Sequence, residues 1–68
     1  MKTMRTVKLF DGGTLRIARD YDYEEYRVQR RFPGASAYDE ASTYFTSEED
    51  DAIATFDADA DRIGRLYN

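Results

Sequence analysis

The apolar residues of this chain change their spacing once, close to Thr46. Before it they fall at every second position, as in Val7 and Leu9, Leu15 and Ile17, and Tyr26 and Val28. Beyond it Ala52, Ile53, Phe56, Ala60, Ile63 and Tyr67 recur three and four apart. A period of two lines one face of a strand, and a period near 3.6 lines one stripe of a helix. The expected fold is therefore α+β in the order β-β-β-(β)-α: an antiparallel three- or four-stranded sheet with one C-terminal helix packed on one face. At 68 residues this is one small domain, residues 1–68, without linker, repeat or low-complexity segment. Folding at such a size buries only about 60% of the surface the unfolded chain exposes, so stability is modest and deep substrate pockets are not expected.

Turn residues set the expected registers. A three-residue loop at Asp11-Gly12-Gly13 opposes Leu9 to Leu15 and Val7 to Ile17, all on one face, whereas a two-residue loop would oppose Leu9 to Arg16. A loop at residues 21–24 opposes Ile17 to Val28 and continues that face into a third strand. Lys8, Arg16, Arg27, Gln29 and Arg31 then line the other face, which is expected to be basic and solvated. Pro33-Gly34 ends the third strand, and Ala41-Ser42-Thr43-Tyr44-Phe45 reads as a fourth, edge strand. Thr46-Ser47-Glu48-Glu49 has the pattern of a capping box with Thr46 as N-cap, opening a helix from about 47 to 66. These registers predict that Val7, Leu9, Leu15, Ile17, Val28, Ile53, Phe56 and Ile63 are the least exposed side chains.

Charge is divided along the chain. Residues 1–33 carry 8 basic and 5 acidic side chains, and residues 34–68 carry 2 basic and 9 acidic, which together make the net charge of -4. All nine carboxylates of the second half lie between Asp39 and Asp61, a window without a cation. That window has to be mostly solvated. Direct nucleic-acid binding by the arginines of the early strands is disfavoured, because the field of a chain with a pI near 4.6 repels phosphate.

The chain has no Cys and no His, which removes thiol chemistry, the common nucleophile pairs and the usual zinc ligand sets. No catalytic residue, cofactor or metal is expected. Asp57-Ala58-Asp59-Ala60-Asp61 begins like a calcium loop but has Arg62 where the turn glycine belongs and Asn68 in place of the bidentate glutamate. On a helix, alternate residues also diverge by about 200° and cannot converge on one ion. An enzyme built on two carboxylates would need them in a dry pocket, and nothing in the sequence places them there. Apolar runs are too short to span a membrane, and the N-terminus lacks the apolar core of a secretory signal. Together with the absence of cysteine, this gives a cytoplasmic expectation.

Two groups of residues are candidates for partner binding. Asp50, Asp57 and Asp61 form a row along one flank of the expected helix, with Glu49 and Asp51 beside it. Like charges four apart weaken a helix by a few tenths of a kcal/mol, so the row serves either solubility or a basic partner. The second group is Tyr21, Asp22 and Tyr23, in a hairpin tip, Asp20 to Tyr26, that concentrates three tyrosines and four carboxylates. Tyrosine gives large contact area at low entropic cost and is common in interface hot spots. For Tyr21 and Tyr23 the alternative is that their rings cover the edge of a thin core.

The strand-to-helix passage Tyr44-Phe45-Thr46-Ser47-Glu48-Glu49-Asp50-Asp51-Ala52-Ile53 and the carboxylate row after it, on a small acidic chain without Cys or His, resemble the small phage-encoded inhibitors of bacterial defence, the anti-CRISPR proteins in particular. The resemblance implies a non-enzymatic inhibitor acting in the host cytoplasm. Its acidic face would occupy the basic nucleic-acid path of a target such as a CRISPR effector subunit, as a mimic of DNA. The alternative is a structural or assembly protein in which the sheet edge and the tyrosines make a homo-oligomer, a homodimer being the simplest, and the acidic face keeps it soluble.

Overall fold

The computed structural model describes residues 1–66. Strands β1 (Lys2–Lys8), β2 (Thr14–Asp20), β3 (Glu25–Arg31) and β4 (Asp39–Thr46) form an antiparallel meander in sheet order β1-β2-β3-β4. Helix α1 (Glu49–Ile63) packs on β2, β3 and β4. The expected α+β architecture is observed, with the fourth strand present.

Leu15, Ile17, Tyr26 and Val28 from the sheet meet Ala52, Phe56 and Ala60 from α1, and Leu9 joins them from the loop after β1. Val7, Ile53 and Ile63 pack at the margin of this core and remain partly exposed, although they were expected among the least exposed residues. Their places at its centre are taken by Ala52 and Ala60 of α1, each fully buried. A methyl group lets helix and sheet approach closely, so small residues sit where the two layers are nearest. Tyr67, assigned to the helical stripe, lies outside the described residues.

The β2–β3 hairpin has the expected register, Ile17 opposite Val28 and Asp20 opposite Glu25, around a loop at 21–24. The β1–β2 register differs from expectation by two residues. Val7 pairs with Leu15 and Arg5 with Ile17, so the connection spans residues 9–13. The cause lies at the far end of the chain. Gly64 accepts from the Phe10 N–H at 2.7 Å, the Leu66 N–H donates to Lys8 at 2.9 Å, and Leu9 and Arg65 form an antiparallel bridge. The backbone groups that a three-residue hairpin would have paired with β2 are thus taken by the segment after α1. Within the loop the Leu9 N–H donates to the Gly13 carbonyl at 2.9 Å. Gly13 is required there, since a Cβ would stand 2.6 Å from the Arg31 carbonyl oxygen. Arg30 on β3 holds the loop through Asp11 at 2.7 Å.

The capping box does not form. Glu48 is the N-cap and makes no side-chain cap bond, while the Thr46 hydroxyl accepts from the Glu48 N–H at 3.2 Å as a short turn that ends β4. Thr46 is held in the sheet opposite Tyr26, two residues too early to cap. The helix is shorter than expected because Gly64, at φ 105, turns the chain out of it. An irregularity in β4 leaves residues 40–43 opposite Gln29 alone, between the pairs Val28–Tyr44 and Arg30–Asp39.

The sheet face away from α1 is basic as expected but not fully solvated. Thr14, Ala18, Asp20 and Gln29 on it are buried. Arg16 donates from Nε to Gln29 at 2.7 Å and stacks on the Tyr38 ring at 3.9 Å, so long stems and a ring from the β3–β4 connection cover the small residues beneath.

Candidate functional site

The topology brings the β2–β3 turn and the start of α1 to one end of the sheet, while Asp57 and Asp61 lie in the second half of the helix. The β2–β3 turn projects from one end of the sheet, and the pairing of Tyr26 with Thr46 brings the start of α1 to the same end. Asp22 and Glu24 of the turn therefore share this end with Glu48, Glu49 and Asp50, residues far from them in sequence. All five are exposed, and none is in an ion pair among the described residues. Lys2, paired with Arg19, marks the β1 corner of the same end.

The turn is held from within. The Asp20 carboxylate accepts the Asp22 N–H at 3.0 Å on one oxygen and Arg27 Nη2 at 2.8 Å on the other, and Arg27 also reaches Glu25 at 3.1 Å. Glu24 takes a left-handed conformation at φ 49, which lets four residues close the hairpin. Arg19 lies 5.0 Å from the Tyr21 ring and 5.2 Å from that of Tyr26. Tyr26 is core, whereas Tyr21 and Tyr23 are 57% and 75% exposed, so they do not serve as a core cover. Two large rings held out on an ordered turn lose little freedom when a partner covers them.

The row along α1 divides into two parts. Glu49 and Asp50 in the first turn are free and favoured there by the positive end of the helix dipole. Asp51 faces β4 instead, where its carboxylate accepts the Tyr44 hydroxyl at 2.6 Å and raises the pKa of that phenol. Asp57 and Asp61 are bridged by one guanidinium, Arg65 Nη2 to Asp57 at 3.0 Å and Nε to Asp61 at 3.1 Å. Asp57 first and Asp61 next raise the Arg65 pKa. Asp59 pairs with Arg62 at 3.3 Å. The aspartates of the calcium-like triplet thus lie within a helix and turn to two arginines. The second half of α1 is close to charge-balanced, and uncompensated negative charge concentrates at its start.

The pairing of Arg65 with both aspartates is the part of this electrostatic arrangement that sequence reasoning missed. Its signal was present as an i,i+4 spacing from Asp61, but the reach back to Asp57 depends on Gly64 folding the chain against the helix. The depression between α1 and the sheet is floored by Leu15, Val28 and Ile63 and rimmed by Arg30, Ser42, Asp59 and Arg62. Its single carboxylate is committed to Arg62, so no pair of acids is available there for proton transfer. No helix among the described residues is long and apolar enough to cross a membrane.

Comparison of the chain with protein-family models, with curated proteins and with solved structures gives no match.

Proposed function

We propose that this protein is a non-enzymatic inhibitor whose acidic, tyrosine-bearing end occupies the basic nucleic-acid-binding surface of another protein. One observation carries the reading: five uncompensated carboxylates from two distant segments converge on the end that also presents the exposed rings of Tyr21 and Tyr23. Carboxylates of this density on a rigid end offer Lys and Arg side chains a substitute for phosphate, and the rings add contact area on the same side. The DNA-like element of this proposal is the start of α1 with the turn, assisted by Asp51, and the Asp57 and Asp61 pair contributes less because Arg65 already neutralises half of its charge. The resemblance to anti-CRISPR proteins directs the proposal to a phage-encoded inhibitor and a CRISPR-Cas type target in the host cytoplasm.

Affinity capture from the source or host lysate tests the reading when wild type and Glu49→Lys/Asp50→Lys are used side by side. The wild-type bait is expected to enrich a nucleic-acid-handling protein that the folded variant loses. An empty wild-type eluate, or equal enrichment by both baits, contradicts the proposal.

A further inference from the structure

The sheet face away from α1 carries Lys8, Arg16, Arg27 and Arg31, and these cations differ in what holds them. Arg27 is neutralised by Asp20 and Glu25. Lys8, Arg16 and Arg31 are in no ion pair among the described residues. Both free arginines are nevertheless positioned by neutral groups. Arg16 uses Gln29 at 2.7 Å, Thr3 at 3.4 Å and the Tyr38 ring, and Arg31 uses Thr14 at 3.4 Å. Each keeps its full charge and has its stem fixed over a floor of buried Thr14, Ala18 and Gln29. Cations that are ordered but not neutralised, on a layer with no second layer over it, suit an anionic occupant.

We infer that the occupant is a second copy of this chain, whose acidic end docks on the open basic face. This inference rests on the basic face and on charge complementarity, and it does not depend on the identity of any foreign target. Nucleic acid is the less suitable anion because the face offers it few stacking platforms. Tyr38 stacks under Arg16, which leaves Phe45, exposed at 52% and 5.2 Å from Arg27, as the ring of this face still open to a base. Carboxylates on a helix start and a turn need no such platform, and a guanidinium edge accepts them in a fork.

The donor and acceptor surfaces are different patches of one molecule, so the contact is heterologous and head-to-tail, and it extends into open chains unless its rotation closes a ring. Three strands of 7 residues and one of 8 span about 19 Å by about 23 Å, or roughly 440 Å². That is about half of the ~800 Å² per partner of a stable complex, so the association is weak and governed by salt. The self-assembled form hides the acidic end, and dilution or a stronger basic partner exposes it.

Sedimentation velocity of the purified protein over a range of concentrations tests this, with Lys8→Glu/Arg31→Glu and Glu49→Lys/Asp50→Lys as charge reversals of the two surfaces. Raising salt from about 0.01 M to about 1 M shortens the screening length from about 30 Å to about 3 Å. Wild type is expected to grow in mass with concentration at low salt and to remain at 7.9 kDa at high salt. Each variant alone should self-associate at least about 10-fold more weakly, because both of its surfaces then carry one sign. An equimolar mixture of the two should assemble again, since the reversed surfaces complement each other. Wild type that stays monomeric at every concentration in low salt overturns the inference, as does a mixture that remains monomeric. Should either variant be unfolded by circular dichroism, the salt and concentration dependence of wild type decides alone. Binding of a fluorescent single-stranded oligonucleotide to wild type, lost in Lys8→Glu/Arg31→Glu, would assign the face to nucleic acid and also overturn it.

Discussion

The Tyr44 hydroxyl donates to the Asp51 carboxylate at 2.6 Å, which ties the first turn of α1 to strand β4. The bond determines which carboxylates at the start of the helix remain free. Asp51 is engaged by Tyr44 of β4, and Glu49 and Asp50 stay exposed at the end of the sheet that carries the β2–β3 turn.

The same bond raises the Tyr44 pKa above its ordinary value of 10.0, the Asp51 hydrogen bond being the largest cause. A raised folded-state value means that the contribution to stability is complete below 10.0 and lost as pH rises through the folded value. Asp51→Asn should bring the Tyr44 titration down toward 10.0, read by NMR of the labelled ring. An unchanged titration would show that the bond does not form in solution.

Asp11 gives the opposite dependence at the other end of the molecule. The Gly13 N–H first, and Arg30 next, hold its carboxyl below the ordinary 3.8. A lowered value contributes stability above 3.8 that disappears as pH falls through the folded value. The melting temperature of wild type should exceed that of Asp11→Asn above this pH, and the gap should close below it. A gap independent of pH would leave the loss to packing rather than charge.

Phe56 is the largest side chain that α1 inserts between the layers, and it is 3% exposed. Truncation to alanine should cost about 3–5 kcal/mol. A chain of this size holds roughly 3–10 kcal/mol in total, so Phe56→Ala should lose most of its cooperative urea transition. A variant that retains a wild-type midpoint would place the core elsewhere.

Local patterns in the sequence carried the architecture, and contacts between distant segments account for what they missed. Ile17 and Val28 set the β2–β3 register because an apolar face and a short turn agree there. Leu9 shows the same alternation, yet its backbone pairs with Arg65, and no local rule places residue 65 beside residue 9. Thr46 has the chemistry of a cap but is retained by the sheet, so a local motif lost to a strand pair. The candidate site follows the same division. Tyr21, Asp22, Tyr23, Glu49 and Asp50 could each be picked out by residue type, while their sharing of one end depends on the Tyr26–Thr46 pairing. The neutralisation of Asp57 and Asp61 required the chain to return along the helix.

The central claim is that the acidic end substitutes for nucleic acid, and competition measures it most directly. A partner captured on immobilised wild type is titrated with the nucleic acid that it binds. The account predicts stoichiometric displacement by that nucleic acid. It also predicts a loss of affinity of at least about 100-fold, or about 2.8 kcal/mol, for folded Glu49→Lys/Asp50→Lys, and about 2 kcal/mol for Tyr21→Ala. A partner that stays bound at saturating nucleic acid and holds the reversed variant as tightly as wild type would contradict it.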